Sequence, residues 1–107
     1  MIISADKARK ETDKTLKEFL KSEEWTNICD NINNEIQKAA QKGANETDIF
    51  VHNSLKSQID YYTLYQFVIR TLENSGYTII NSPKNYGSYF EINISWYDRI
   101  TVKGDKL

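Results

Sequence analysis

From Phe90 to Val102 the chain alternates between apolar and polar side chains, and that rhythm limits the folds open to it more than any other feature. Phe90, Ile92, Ile94, Trp96, Ile100 and Val102 share one parity, with Asp98 the only exception, and Tyr89, Glu91, Asn93, Ser95, Tyr97 and Arg99 share the other. A period of two is a β-strand that lays one face on a core and turns the other to water or to a ligand. One strand is not a sheet, so the rest of the chain must supply its neighbours and a cover for its apolar face.

Candidates for both are present. Tyr77 to Asn81 reads as a strand and Ser82 to Gly87 as a hairpin loop, so the long strand has a neighbour immediately before it. Asp48 to His52 is a second short strand. Helical stripes supply the cover. Ser4 is placed to cap a helix whose residues Ala5, Ala8, Thr12, Thr15, Leu16, Phe19 and Leu20 fall on one stripe. A second stripe, Trp25, Ile28, Cys29, Ile32, Ile36, Ala39 and Ala40, lies about half a turn from the first if the helix continues unbroken. The phase slip falls at Lys21 to Glu24, where Ser22 is a good N-cap and Glu23 and Glu24 suit a first turn. Two helices explain the slip. One long helix whose two ends meet different partners explains it as well, and its first stripe then packs on another subunit or protein. Gly43 ends this region, and a further helix from about Ser57 to Asn74, closed by Gly76, carries Tyr61, Leu64, Tyr65, Val68 and Leu72 on one face. The expected class is α+β: one domain over residues 1–107, with a small antiparallel sheet covered by helices and a C-terminal β-hairpin.

At 107 residues the chain is long enough to bury a core without staples. Its one cysteine, Cys29, forms no internal disulfide and suits a reducing cytosol. Met1-Ile2-Ile3-Ser4-Ala5-Asp6 turns polar at once, so neither a signal peptide nor a membrane span is expected, and a cytoplasmic location is. The sequons Asn45-Glu46-Thr47 and Asn93-Ile94-Ser95 then carry no weight, because glycosylation needs the secretory route. Net charge is −1, with acidic and basic residues interspersed from Asp6 to Glu24. Duplex DNA is disfavoured as a partner, since the phosphate backbone calls for a concentrated basic patch.

Catalytic chemistry finds little to build on. His52 is the only histidine and no nucleophile stands near it in sequence, so it reads as a surface residue of its strand. Cys29 lies between Ile28 and Ile32 without a neighbouring base to activate it, so it reads as an inert thiol of the apolar stripe. The oxygen-rich run Cys29 to Glu35 lacks the glycine and the spaced carboxylates of a calcium loop. Glu23 and Glu24 are adjacent and point in different directions on a helix, which makes them a poor acid and base pair. Gly87 stands alone in its loop and reads as a turn residue rather than a phosphate cradle. No catalytic residue, metal ligand or cofactor is assigned.

Binding is better supplied. On the odd face of the last strand, Tyr89 and Tyr97 can stack on a planar ring, Asn93 and Ser95 can bond its edge, and Arg99 can meet a phosphate. The plain alternative is the wet side of a half-covered antiparallel sheet. Tyr61, Tyr62 and Tyr65 pose the same choice between a contact surface and the rim of the core. Seven Tyr and two Trp in so short a chain favour a contact surface, because such side chains bring much area at low entropic cost. The binding candidates are therefore Tyr89, Asn93, Tyr97, Arg99, Tyr61 and Tyr65.

The opening Ile3 to Arg9, the segment Glu35-Ile36 to Ala39-Ala40-Gln41-Lys42-Gly43, and Ser75 to Ile79 followed by Tyr89 to Trp96 resemble small proteins encoded by bacteriophages. There an amphipathic N-terminal helix precedes a Gly-Tyr strand and a Tyr-x-Ile-x-Trp-like strand, here Phe90 to Trp96; Phe50 to Tyr65 match no such pattern. The resemblance implies no catalytic residue, since such proteins are mostly unassigned or loosely called structural. It leans the reading towards a phage protein, and the missing catalytic constellations, the aromatic-rich surface candidates and the stripe left over on the first helix make the first expectation a non-enzymatic binding protein that engages and inhibits a host or anti-phage defence component in the host cytoplasm. Two alternatives stand beside it: a virion component, and a sponge for a small or cyclic nucleotide that uses Tyr89, Asn93, Tyr97 and Arg99. Homo-oligomerisation fits all three, because the two helical stripes ask for more burial than one small sheet offers.

Overall fold

A computed structural model describes residues 1–52, 59–81 and 84–97 of the chain. The elements follow in the order α1 (Ala5–Leu20), α2 (Glu23–Gln41), β1 (Glu46–His52), α3 (Tyr61–Asn74), β2 (Thr78–Ile79), β3 (Lys84–Asn85) and β4 (Tyr89–Ser95). This is an α+β fold, with three helices and one small antiparallel sheet among the described residues.

The helix boundaries follow from side chains that satisfy backbone groups left open at helix ends. Ser4 Oγ accepts from the Lys7 N–H at 3.1 Å and starts α1. Ser22 Oγ does the same for Trp25 at 3.2 Å while its hydroxyl donates back to the Phe19 carbonyl at 2.6 Å, so one residue closes α1 and opens α2. The helical region is thus two helices, as the phase slip allows. Asp60 caps α3 through Thr63 N–H at 2.7 Å, so this helix begins at Tyr61 instead of near Ser57, and the residues between 53 and 58 lie outside the described part. Gly76, at φ 98°, ends α3 with Tyr77 N–H bonding back to the Leu72 carbonyl, a left-handed turn that glycine adopts without strain.

β4 is the centre of the sheet. β1 runs antiparallel along one side, pairing Glu46 with Ser95 through His52 with Tyr89. β2 and β3 share the other side, Ile79 opposite Ile94 and Lys84 opposite Glu91. Between those two pairs the outer chain has four residues where β4 has two, so the register along this edge shifts by two. The hairpin loop is shorter than the sequence implied: β3 takes Lys84 and Asn85, leaving Tyr86, Gly87 and Ser88 to turn the chain. β4 also stops early. Glu46 opposite Ser95 exhausts β1, a last bond joins Trp96 N–H to the Asn45 carbonyl, and Tyr97 N–H then turns back to Ser95 Oγ at 3.3 Å. The alternation beyond Tyr97, with Arg99, Ile100 and Val102, lies outside the described residues.

α2 and α3 cover the face that carries Phe90, Ile92 and Ile94 of β4 with Ile49 and Val51 of β1. Trp25, Ile28 and Ile32 of α2 and Leu64, Val68 and Leu72 of α3 close the core, one residue per turn of each stripe. α1 joins it through little more than Phe19, which is fully buried and sets its ring 5.7 Å from Trp25 and 6.2 Å from Phe67. Leu16 packs at the margin. The helix break does not satisfy the first stripe, because residues 1–14 are all exposed, Ala5, Ala8 and Thr12 among them. Among the described residues no helix is long and apolar enough to cross a membrane.

Candidate functional site: the open face of the sheet

Because a strand alternates its side chains, covering one face of β1 and β4 with helices leaves the other bare. Register fixes what stands there: Glu46 beside Ser95, Asp48 beside Asn93, Phe50 beside Glu91 and His52 beside Tyr89. From the other side of β4, Thr78 sits beside Ser95 and Lys84 beside Glu91. The odd parity of the last strand therefore does form an uncovered surface, and β1 contributes half of it.

The surface has two parts. At one end Tyr89 is the hub of four rings: Tyr86 stacks on it with centroids 5.0 Å apart, Phe50 meets it edge-on at 5.9 Å, and His52 tilts against it at 5.6 Å. Phe50 and Tyr86 are each 49 % exposed, unusual for side chains of that size with a core so near. Beside the rings lies a hydrogen-bond network around Asn93. Its Nδ2 donates to Asp48 Oδ1 across the strands and to Glu91 Oε2 at 3.1 Å, and its Oδ1 accepts from Asn81 Nδ2 at 3.3 Å. Tyr86 Oη joins rings to network by donating to Glu91 Oε1 at 3.1 Å. That bond raises the Tyr86 phenol above its ordinary pKa, with desolvation and the nearby Glu91 charge adding to it, so the hydroxyl stays a donor. With Glu46, Asp48 and Glu91 against Lys84, the surface is acidic as well as aromatic.

Of the residues singled out by sequence, the fold brings Tyr89 and Asn93 together here. Tyr97 stands just past the end of β4, 43 % exposed, over an open groove of about 660 Å³ lined by Gly76, Thr78, Ile80, Ser95 and Trp96. Arg99 lies outside the described residues. Tyr61 and Tyr65 are on the opposite side of the sheet, where both rings meet Phe90 edge-on at 5.3 and 5.8 Å as the rim of the core. Burial, and secondarily Tyr65, raises the Tyr61 phenol above its usual range. Sequence reading did not single out Phe50, Tyr86, Asp48 and Glu91. The first two have no local signal beyond being aromatic; the register of β1 on β4 brings Phe50 and Asp48 beside Tyr89 and Asn93, and Tyr86 comes from the turn before β4.

Chemically, the surface offers exposed rings beside fixed hydrogen-bonding groups. His52 and Cys29 stand on opposite sides of the sheet, the imidazole on the bare face and the thiol on α2, so the two do not pair. Burial first, then the Asp30 charge, raises the Cys29 thiol, which disfavours the reactive thiolate. Among the described residues no three histidine, cysteine or carboxylate side chains gather as they would around a metal ion. No protein-family model, curated protein or solved structure matches the chain.

Proposed function

We propose that this chain is a non-enzymatic binding protein that docks a partner protein on the open face of its sheet. In the phage context that its sequence resembles, the partner is a host or anti-phage defence component, and docking inhibits it. The observation that carries this reading is the cluster of Phe50, His52, Tyr86 and Tyr89 on the face turned away from the core, where it adds nothing to core packing. Aromatic side chains beside fixed hydrogen-bonding groups are the usual composition of contact hot spots. The carboxylates of Glu46, Asp48 and Glu91 favour a partner with a basic surface.

The test is capture from host lysate with the intact protein and with Tyr86→Ala/Tyr89→Ala, alongside growth of phage carrying either gene. Specific capture and a growth advantage, both lost in the double variant, support the reading. Capture unaffected by removing both rings moves the contact elsewhere, and copies of the chain in purified particles move the role to the virion.

The groove under Tyr97 favours a second reading, a nucleotide sponge. Among the described residues no carboxylate lines that groove, and Trp96 and Tyr97 offer rings for stacking. The Asn93 site suits an anion less well, because its amide is already committed and two carboxylates flank it. A rise in melting temperature with a cyclic or linear nucleotide, abolished in Tyr97→Ala, would support it.

A further inference from the structure

Among the described residues β1 is a terminal strand, and nothing pairs with its outer edge. Its backbone directions follow from the ladder. Trp96 N–H bonds to the Asn45 carbonyl, so in the β1 and β4 pairing the peptide groups of Asn45, Thr47, Ile49 and Val51 turn towards β4. The far side of β4 agrees: Asn93 and Tyr89, of the other parity, accept from Ile80 and Tyr86. The N–H and C=O groups of Glu46, Asp48, Phe50 and His52 therefore point out of the sheet. Among the described residues no backbone or side chain bonds to them.

Natural sheets usually blunt such an edge with proline, lysine, a bulge or an interruption. On the opposite edge of this sheet the register shifts by two between Ile79 and Lys84. β1 has none of these devices: its seven residues Glu-Thr-Asp-Ile-Phe-Val-His pair with β4 without a break. We propose that this edge pairs with the β1 edge of a second copy of the chain, antiparallel about a two-fold axis at Ile49.

The charge pattern selects both the orientation and the register. The acids Glu46 and Asp48 occupy the first half of the strand and His52 ends it. Parallel pairing would line up the carboxylates of the two copies, whereas antiparallel pairing brings the acidic half of one against the acid-free half of the other. With the axis at Ile49, Glu46 lies opposite the second copy's His52 and Asp48 opposite its Phe50, and the imidazole N–H meets a carboxylate at both ends. Moving the axis to Asp48 sets the two Asp48 carboxylates face to face. The Ile49 register also uses the whole strand, and every residue with outward peptide groups gains a partner. Parity is kept, so the helix-covered faces of the two sheets join, as do the two bare faces. The pair presents one continuous sheet with two copies of the Tyr86 and Tyr89 surface side by side.

The edge is a different surface from the bare face, so the inference goes beyond the proposed function and fails separately from it. The experiment is the absolute mass of the full chain by light scattering and sedimentation equilibrium, from micromolar to millimolar concentration. The expected result is twice the 12.5 kDa of one chain. Phe50→Pro deletes one outward N–H and leaves the β4 ladder intact, so it shifts the dimer constant at least tenfold beyond Phe50→Ala, which loses only the ring. His52→Glu sets a carboxylate against Glu46 and weakens self-association at least threefold. Mixing it with Glu46→Lys restores a mixed dimer, and this pair tests the proposal even if the proline variant does not fold. A monomer at every concentration overturns the proposal, as does a dimer indifferent to both sets of variants. So does a monomer that takes a strand from another protein instead. A monomer whose partner capture still needs Tyr86 and Tyr89 sinks this inference and leaves the proposed function standing.

Discussion

Replacing Phe19 with alanine tests how α1 is held to the rest of the molecule. Phe19 is the one fully buried side chain of this helix, wedged between Trp25 and Phe67, while residues 1–14 are all exposed. A buried aromatic side chain hides roughly 150 to 250 Å². At about 25 cal/mol per Å² that gives roughly 4 to 6 kcal/mol, an upper figure because unfolded chains already bury part of this surface. Allowing for that compaction and for the methyl group that alanine retains, the expected loss is about 3 to 4 kcal/mol, in line with large-to-small changes in other cores. Urea unfolding followed by tryptophan fluorescence would show it as a fall of about 2 M in midpoint, given slopes of about 1 to 3 kcal/mol per M for small domains. Amide exchange supplies a second reading of the same event: protection from Thr15 to Leu20 collapses while Phe90 to Ile94 keep theirs. A loss under about 1 kcal/mol with α1 still protected would show that something other than this ring anchors the helix. Leu16→Ala, at the margin of the core, is the companion and costs less, about 1 to 2 kcal/mol.

Ser22→Ala removes both the cap of α2 and the bond to the Phe19 carbonyl, and chemical denaturation is expected to show a loss of about 1 kcal/mol. The Asp60 carboxyl is held below its ordinary pKa first by the Thr63 backbone N–H and then by the Thr63 side chain, so the fold favours its charged form. Its contribution is therefore present above the unfolded value, about 3.9, and is lost as pH falls through the lower folded value. Melting curves across pH should accordingly show the advantage of the parent over Asp60→Asn constant near neutrality and narrowing below about pH 4; a constant gap into acid would contradict the cap's role. Cys29, its thiol raised by burial and by Asp30, is expected to react with a maleimide at pH 7.5 at least about tenfold more slowly than in the urea-unfolded chain. Equal rates would place the thiol outside the packed stripe.

Much of the fold was legible residue by residue. Ser4 and Ser22 announce helix starts because few side chains other than short hydroxyls, Asp and Asn can reach the open N–H groups of a first turn. The phase slip between Phe19 and Trp25 is resolved by a break at Ser22. The start of α3 was misread near Ser57 because apolar periodicity marks a face better than an end, and the cap at Asp60 settles it. The end of β4 was misread because alternation continues past the point where β1 and β2 stop providing partners.

The candidate site was half legible. Strand parity alone puts Tyr89, Asn93 and Ser95 on one face, because successive side chains must alternate. Parity could not say that β1 lies beside them, that Phe50 and Asp48 complete the surface, or that Tyr86 folds over from the turn. Nor could it separate Tyr89 from Tyr61 and Tyr65, which are alike in sequence but sit on opposite sides of the sheet. Local sequence thus determined the elements and the inner face of each, since periodicity and capping act within a few residues. Which faces meet, and which edge is left open, was decided by the tertiary structure, because register between distant strands is set only when the whole core closes.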